Sequence, residues 1–223
     1  MMSWRHYVLV FIGLGLLTLL GCSAGPHFIA KYEPWREYEE EACLVSGIVR
    51  TSATVEKKSA LDRQSVCGAE QPFSVSASGD GRVRFRPSAI LRCPMIPQVE
   101  RWVSNTIEPA ASNFFGSSLA EVTIGGSYAC RPVNRQFGGN LSEHGYANAL
   151  DVAGFTLADG RKVMVKTGWT GSEQERLFLR AVHNGACQEF TTVLGPDYNS
   201  IHSDHFHVDL ARRGDDGLSR VCR

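Results

Sequence analysis

A chain of 223 residues, 43% hydrophobic and 21% charged, is long enough to bury one substantial core. Its 23 basic and 23 acidic side chains cancel, and no basic stripe interrupts the balance, which excludes a charge-driven nucleic-acid binder. No internal repeat or low-complexity tract divides it.

Residues 1–22 have the layout of a secretory signal: Arg5 and His6 in front, an apolar run from Tyr7 to Leu20, and a small-residue exit at Gly21. The run is too short and too close to the start to be read as a membrane span. Leu19-Leu20-Gly21-Cys22 resembles a bacterial lipobox. That resemblance implies removal of residues 1–21 and a membrane anchor through acyl chains on Cys22; an uncleaved signal anchor is the alternative. Ser23, rather than Asp, after the cysteine implies by resemblance to Gram-negative sorting the periplasmic face of the outer membrane. Residues 22–42 carry Pro26, Pro34 and the acidic run Glu37, Glu39, Glu40 and Glu41, and read as a tether or as a short solvated helix. Residues 43–223 form the domain, and a monomer is expected.

Apart from Cys22, six cysteines remain, an even number in an exported chain, which reads as three disulfides. Pairing in chain order, Cys43 with Cys67, Cys93 with Cys130 and Cys187 with Cys222, is the expectation among fifteen pairings. No Cys-x-x-Cys occurs, so cysteine zinc sites and thioredoxin-like chemistry have no support.

From Cys43 to Arg92 the signals are strand and turn: Ser46–Val49, Phe73–Ala77, a Gly79-Asp80-Gly81 turn, then the alternating Arg82–Phe85. Pro97 opens a helical pattern through Val99, Trp102, Val103 and Ile107, and Pro109 is expected to end or kink it, although Ala110, Ala111, Phe114 and Phe115 could continue it. Leu119–Ile124 reads as a strand leading into a Gly- and Asn-rich loop. Ala149–Phe155 and Lys162–Val165 are strands joined at Asp159-Gly160. Ser172-x-x-Glu175 is a capping box for a helix over Glu173–Gly185. Phe190–Leu194 and His205–Leu210 complete the strands. Interleaved elements with short connections predict an α+β domain built on an antiparallel sheet.

Two polar windows stand out, Ser142–Asp151 and His202–Asp209, holding four of the seven histidines. So much imidazole and carboxylate needs a counter-ion if buried, and a metal is the simplest. His144 and Asp151 lie too far apart for one helical turn, so the segment must fold back to bring both to one ion. On a strand, His205, His207 and Asp209 share one face while Phe206, Val208 and Leu210 face the core. His144, Asp151 and His207 are the expected metal ligands, and three ligands of this kind leave a fourth position of zinc for water, the catalytic arrangement. Metal-assisted hydrolysis is the chemistry this implies.

Ser-x-His with an Asp seven residues on, followed by a late His-x-His, resembles zinc D-Ala-D-Ala carboxypeptidases and murein endopeptidases of the hedgehog/DD-peptidase fold. Cys130-Arg131-Pro132-x-Asn134, Leu141-Ser142-Glu143-His144, Ala149-Leu150-Asp151-Val152, Leu194-Gly195-Pro196-Asp197 and His202-x-Asp204-His205-Phe206-His207-x-Asp209-Leu210 resemble the bacterial extensin-like C-terminal domain family more closely. The resemblance runs from about Cys43 to Cys222. It implies His144, Asp151 and His207 as zinc ligands, Asp204 or His205 as general base, and peptidoglycan peptides as substrate. Arg131, after Tyr128, loosely matches an arginine that binds substrate carboxylate or oxyanion, although two residues are inserted between them. His202 and Asp209 are candidates to orient ligand imidazoles.

Other readings stand beside these. A serine hydrolase would use Ser142, but Gly-x-Ser-x-Gly is absent. A non-catalytic module that keeps its metal and binds the cell wall or a partner is the alternative from another class. His183 is expected on an exposed helix face, Glu143 in solvent, and Trp169 in the core rather than stacked on a ligand.

Overall fold

The computed structural model describes residues 28–61 and 65–223. The signal segment, the lipobox and Cys22 lie outside the described residues. Among the described residues, no helix is long and apolar enough to cross a membrane.

Among the described residues, nine strands form one sheet: β1 (Val55–Lys57), β2 (Phe73–Ser78), β3 (Val83–Leu91), β4 (Leu119–Gly126), β5 (Ala149–Leu157), β6 (Lys162–Met164), β7 (Thr192–Leu194), β8 (Phe206–Asp209) and β9 (Val221–Cys222). Their order is β1-β2-β3-β4-β5-β8-β7-β9, with β6 pairing β5. The helices are α1 (Trp35–Ser46), α2 (Met95–Trp102), α3 (Glu108–Phe115), the single turn α4 (Val165–Gly168) and α5 (Glu173–Glu189). The architecture is α+β, as expected, but the sheet is mixed rather than antiparallel, because β3 pairs β4 and β7 pairs β9 in parallel. The helical segment between β3 and β4 is the cause, since a long crossover returns the chain in the same direction where a hairpin cannot.

That crossover is one helical path with a π turn over Val103–Ile107 between α2 and α3. Pro109 has no N–H to give to the preceding turn, and its ring would crowd the carbonyl four residues back. Widening the turn just ahead of it lets the helix continue, so Pro109 neither ends the path nor breaks its apolar face. Met95, Ile96, Val99, Trp102, Val103 and Ile107 are all buried against the sheet and α5. Trp102 donates from its indole to the Val182 carbonyl at 2.9 Å, which satisfies its polar edge inside the core. The expected capping box forms: Ser172 and Glu175 exchange side-chain-to-backbone hydrogen bonds at the start of α5, which runs four residues beyond the expected end.

Some expectations for the N-terminal part and the disulfides are corrected. Ser46–Val49 is not a strand: α1 ends there, and Gly47 takes the left-handed φ of 64° that closes the helix back onto Leu44. Of the two readings of residues 22–42, tether or short helix, the helix forms as most of α1, and its inward side carries buried charge beside the partly buried Cys43 and Leu44. Arg36 and Glu40 are buried on it, and the buried Arg92 reaches both the Arg36 carbonyl and Glu40. The disulfides are Cys43–Cys93, Cys67–Cys130 and Cys187–Cys222, with Cα separations of 5.9, 5.7 and 5.7 Å. Only the third follows chain order. α1 lies over the end of β3 and so meets Cys93, which leaves Cys67 to tie its loop to the segment after β4.

Candidate metal centre

β5 is buried along nearly its whole length and pairs with β4 on one side and β8 on the other. The register with β8 puts Asp151 directly opposite His207, and that with β4 puts Gly126 opposite Asp151. Gly126 leaves the carboxylate room: an added Cβ would come within 3.1 Å of Asp151 Oδ2. His144 arrives from the short 3-10 turn Glu143–Tyr146 that precedes β5. Ser142 caps that turn through its hydroxyl, which accepts from the His144 amide at 3.4 Å, and Ala147 at φ 52° closes it. The required fold-back between His144 and Asp151 is therefore a capped turn closed by a left-handed residue.

Three donor atoms converge. His144 Nε2 lies 3.1 Å from Asp151 Oδ1, His207 Nδ1 lies 2.9 Å from the same oxygen, and the two nitrogens are 3.2 Å apart. Donors about 2.0–2.1 Å from a tetrahedral zinc stand roughly 3.3 Å from one another, so the spacing fits one ion. The other side of each ring fixes its tautomer. His144 Nδ1 meets the Ser127 carbonyl at 2.5 Å, and a carbonyl only accepts, so that nitrogen carries the proton and Nε2 offers a lone pair. His207 Nε2 meets Asp209 Oδ2 at 3.0 Å, and its Nδ1 faces the cluster. Both imidazoles thus present to Asp151 the nitrogen suited to bind a cation.

The electrostatics agree. Burial opposes ionisation of Asp151, yet hydrogen bonds and charge from His144 and His207 outweigh it and hold the carboxyl far below its usual range. Burial also opposes a charge on His207, but Asp151 and Asp209 raise it to about 9. Asp209 is buried and held low chiefly by His207, and it accepts as well from the Ala211 amide at 2.9 Å and from Arg213 at 3.4 Å. A proton fills the place between Asp151 and His207 when nothing else positive does.

At the mouth of the cluster stand His205 and Asp204. His205 Nε2 is 3.6 Å from Asp151 Oδ1, and its Nδ1 donates to Asp204 Oδ1 at 2.7 Å. His205 turns inward with His207, as alternation predicts, while Asp204 sits behind it with its side chain 55% exposed. His202 is buried, packs its ring against those of His205 and His207, and donates from Nδ1 to Asn199 Oδ1 at 2.7 Å. That oxygen also accepts from the Ile201 and His202 amides, so Asn199 orients the ring. Burial pushes His202 down to about 4, and the neighbouring histidines and Arg131 push the same way.

His144, Asp151, His202, His205, His207 and Asp209 line one cleft of about 920 Å³, and Arg131 lines it too. Arg131 has no side-chain ion pair or hydrogen bond among the described residues.

Two residues are placed otherwise than expected. Glu143 is not in solvent: Arg36 grips both of its oxygens, one at 2.5 Å, and Asn148 donates to it at 2.7 Å. Arg36 in turn lies over the rings of Trp35 and Tyr146, with 4.3 and 4.1 Å from its guanidinium carbon to their centroids. α1 thereby clamps the turn that carries His144. His183 is not exposed, because it packs between Trp169 and Phe206 and bonds the Arg223 carbonyl at 3.1 Å, and burial lowers its pKa. Trp169 is a core residue whose indole donates to Asp197 at 2.7 Å.

Ser127, Asn199, Arg36 and Arg213 are the contributors that sequence reasoning missed. Ser127 acts through its carbonyl, which no residue type advertises. Asn199 had a visible signal, an Asx cap three residues before His202.

Fold and site together define a disulfide-stapled α+β domain with a buried two-histidine, one-carboxylate cluster at the floor of a cleft. The sequence profile described as extensin-like protein C-terminus matches residues 41–223, and the chain belongs to that family. No curated protein and no solved structure matches the chain.

Proposed function

We propose that the protein is a zinc-dependent peptidase acting on peptidoglycan peptides, held at the periplasmic face of the outer membrane by lipid on Cys22. The observation that carries the reading is the convergence of His144 Nε2, Asp151 Oδ1 and His207 Nδ1, at mutual distances of 2.9–3.2 Å, on the floor of an open cleft. These three residues would hold the ion. Bound zinc supplies an activated water and polarises the scissile carbonyl.

The chain's own groups divide the remaining work. Asp209 and the Ser127 carbonyl keep the two ligand imidazoles in the tautomers that face inward. His205, with Nδ1 tied to Asp204, presents Nε2 beside the cluster and is the group placed to take a proton there and return it to the leaving amine. Asp204 is placed to orient His205 and to stabilise its charged form. Between the two candidate bases, this geometry favours His205. Arg131 is placed on the cleft wall to hold a substrate carboxylate or a developing oxyanion.

Digestion of purified sacculi with mass analysis of the released peptides tests the reading. Zinc-loaded protein should release cleaved stem peptides or opened cross-links, and chelated protein should release none. Stoichiometric zinc with no product from any sacculus would replace the peptidase by a metal-bearing binding module.

A further inference from the structure

The charges around the cleft are lopsided once internal partners are removed. Six cations line it: Lys31, Arg36, Arg131, Arg135, Arg212 and Arg213. Arg36 is committed to Glu33 and Glu143, Arg212 to Glu39, and Arg213 to Asp209 and Thr192. The carboxylates lining the same space, Glu33, Glu143, Asp151 and Asp209, are all engaged by those arginines or by the histidines. Lys31, Arg131 and Arg135 are left with no side-chain ion pair or hydrogen bond among the described residues. A chain with no net charge has thus gathered three uncommitted cations, and no uncommitted carboxylate, at one opening.

The backbone fixes the segments of two of them on either side of one short stretch. Ile29 bridges Asn140, donating to the Gly139 carbonyl at 2.9 Å and accepting from the Leu141 amide at 2.8 Å. Val133 donates to the Asn140 carbonyl at 2.8 Å, and Pro132 bridges Leu141. The first bridge is parallel and carries Lys31 on toward Ser142, whose amide donates to the Arg131 carbonyl at 3.1 Å, whereas the second is antiparallel and carries Arg135 the other way, toward Gly138. Asn134 and Arg135 both take left-handed φ values, 54° and 57°, which side chains other than glycine seldom adopt. Such conformations persist only where the surroundings hold them. The lacing through Asn140 supplies that hold.

We propose that Lys31 and Arg135, exposed at two places on the cleft rim, make the cleft select peptides carrying free side-chain carboxylates over the same peptides neutralised by amidation. The inference rests on the peptide-cleaving reading of this cleft and names the charge its substrate must bear. An uncompensated arginine offers a carboxylate a two-pronged hydrogen bond, and a cationic rim over a cleft draws anions toward it.

The test is binding, measured apart from turnover. Zinc-loaded His205→Ala protein would be titrated with a stem pentapeptide bearing free side-chain carboxylates and with its amidated twin, at low and high salt. The acidic peptide should bind at least tenfold more tightly at low salt, and the gap should narrow as salt screens it. Adding Lys31→Ala and Arg135→Ala together should remove the preference while leaving affinity for the amidated peptide and the melting temperature unchanged, since both side chains are exposed. Equal affinity for the two peptides, no binding of the acidic one, or a preference that survives the double substitution would overturn the proposal. The two readings fail separately. Rim-dependent binding of an acidic peptide that the unsubstituted protein leaves intact sinks the peptidase and keeps the charge preference, whereas cleavage of both peptides at equal kcat/KM does the reverse.

Discussion

The floor and the mouth of the cleft are built to different standards. On the floor, the side chains of His144, Asp151 and His207 are 2%, 12% and 11% exposed, and the ring nitrogens turned away from the cluster are tied to a carbonyl and a buried carboxylate. At the mouth, His205 is 19% exposed and its partner Asp204 55%. The floor groups sit on paired strands and a clamped turn, the mouth groups on the last residues before β8. Rigidity suits holding an ion, while access to water and a single hydrogen-bonded partner suit exchanging a proton. The contrast separates binding from turnover, and substitutions should separate them too.

The largest effect is expected on the floor. His207→Ala or His144→Ala should lose zinc through dialysis and abolish turnover together, as read by elemental analysis and product release. His205→Ala should keep one zinc per chain and lose about 10²–10⁴-fold in kcat, the usual worth of a positioned acid–base group. Loss of zinc in that variant would erase the distinction between floor and mouth. Asp209→Asn should weaken zinc binding by roughly 10–100-fold, because it removes the group that fixes the His207 ring. Asp204→Asn should cost least, about tenfold in kcat with zinc content unchanged, since it orients His205 from an exposed position; a larger loss than in His205→Ala would return the base role to Asp204.

Acidity should act on the floor first. The proton that Asp151 and Asp209 hold on His207, up to about pH 9, must leave before a cation takes its place. Zinc affinity should therefore rise between about pH 6 and pH 9, as followed by competition with a metal-sensitive dye. The metal-free protein should behave in the opposite sense. A raised histidine contributes its stability in full below the ordinary histidine range, and that contribution fades as pH climbs toward 9. Melting curves of chelated protein across that interval check the sign.

Strands and site were legible to different depths. Alternation along β8 put Phe206 and Val208 in the core and His207 and Asp209 on the cleft side, because side chains on a strand repeat with a period of two. The capping box at Ser172 and the turn at Asp159-Gly160 were equally visible, since both are local chemistry. α1 was read only as a tether or a solvated helix, because its buried face consists of Arg36 and Glu40 paired across the fold, and charge in sequence reads as solvent. For the same reason Glu143 was placed in water. Cys187–Cys222 followed chain order, but the partners of Cys43 and Cys67 depended on where α1 lies. Most of what holds the ligand rings comes from backbone or from distant residues, such as the Ser127 carbonyl behind His144 and Arg36 on the turn that carries it.

The most direct test of the central claim is peptide release from purified sacculi by zinc-reconstituted protein, run beside chelated protein and the His205→Ala and His207→Ala variants. The expected result is cleaved stem peptides from the reconstituted protein alone, with zinc retained by His205→Ala and lost by His207→Ala. Undiminished cleavage by the His207→Ala variant, or no cleavage by protein that holds one zinc per chain, would contradict it.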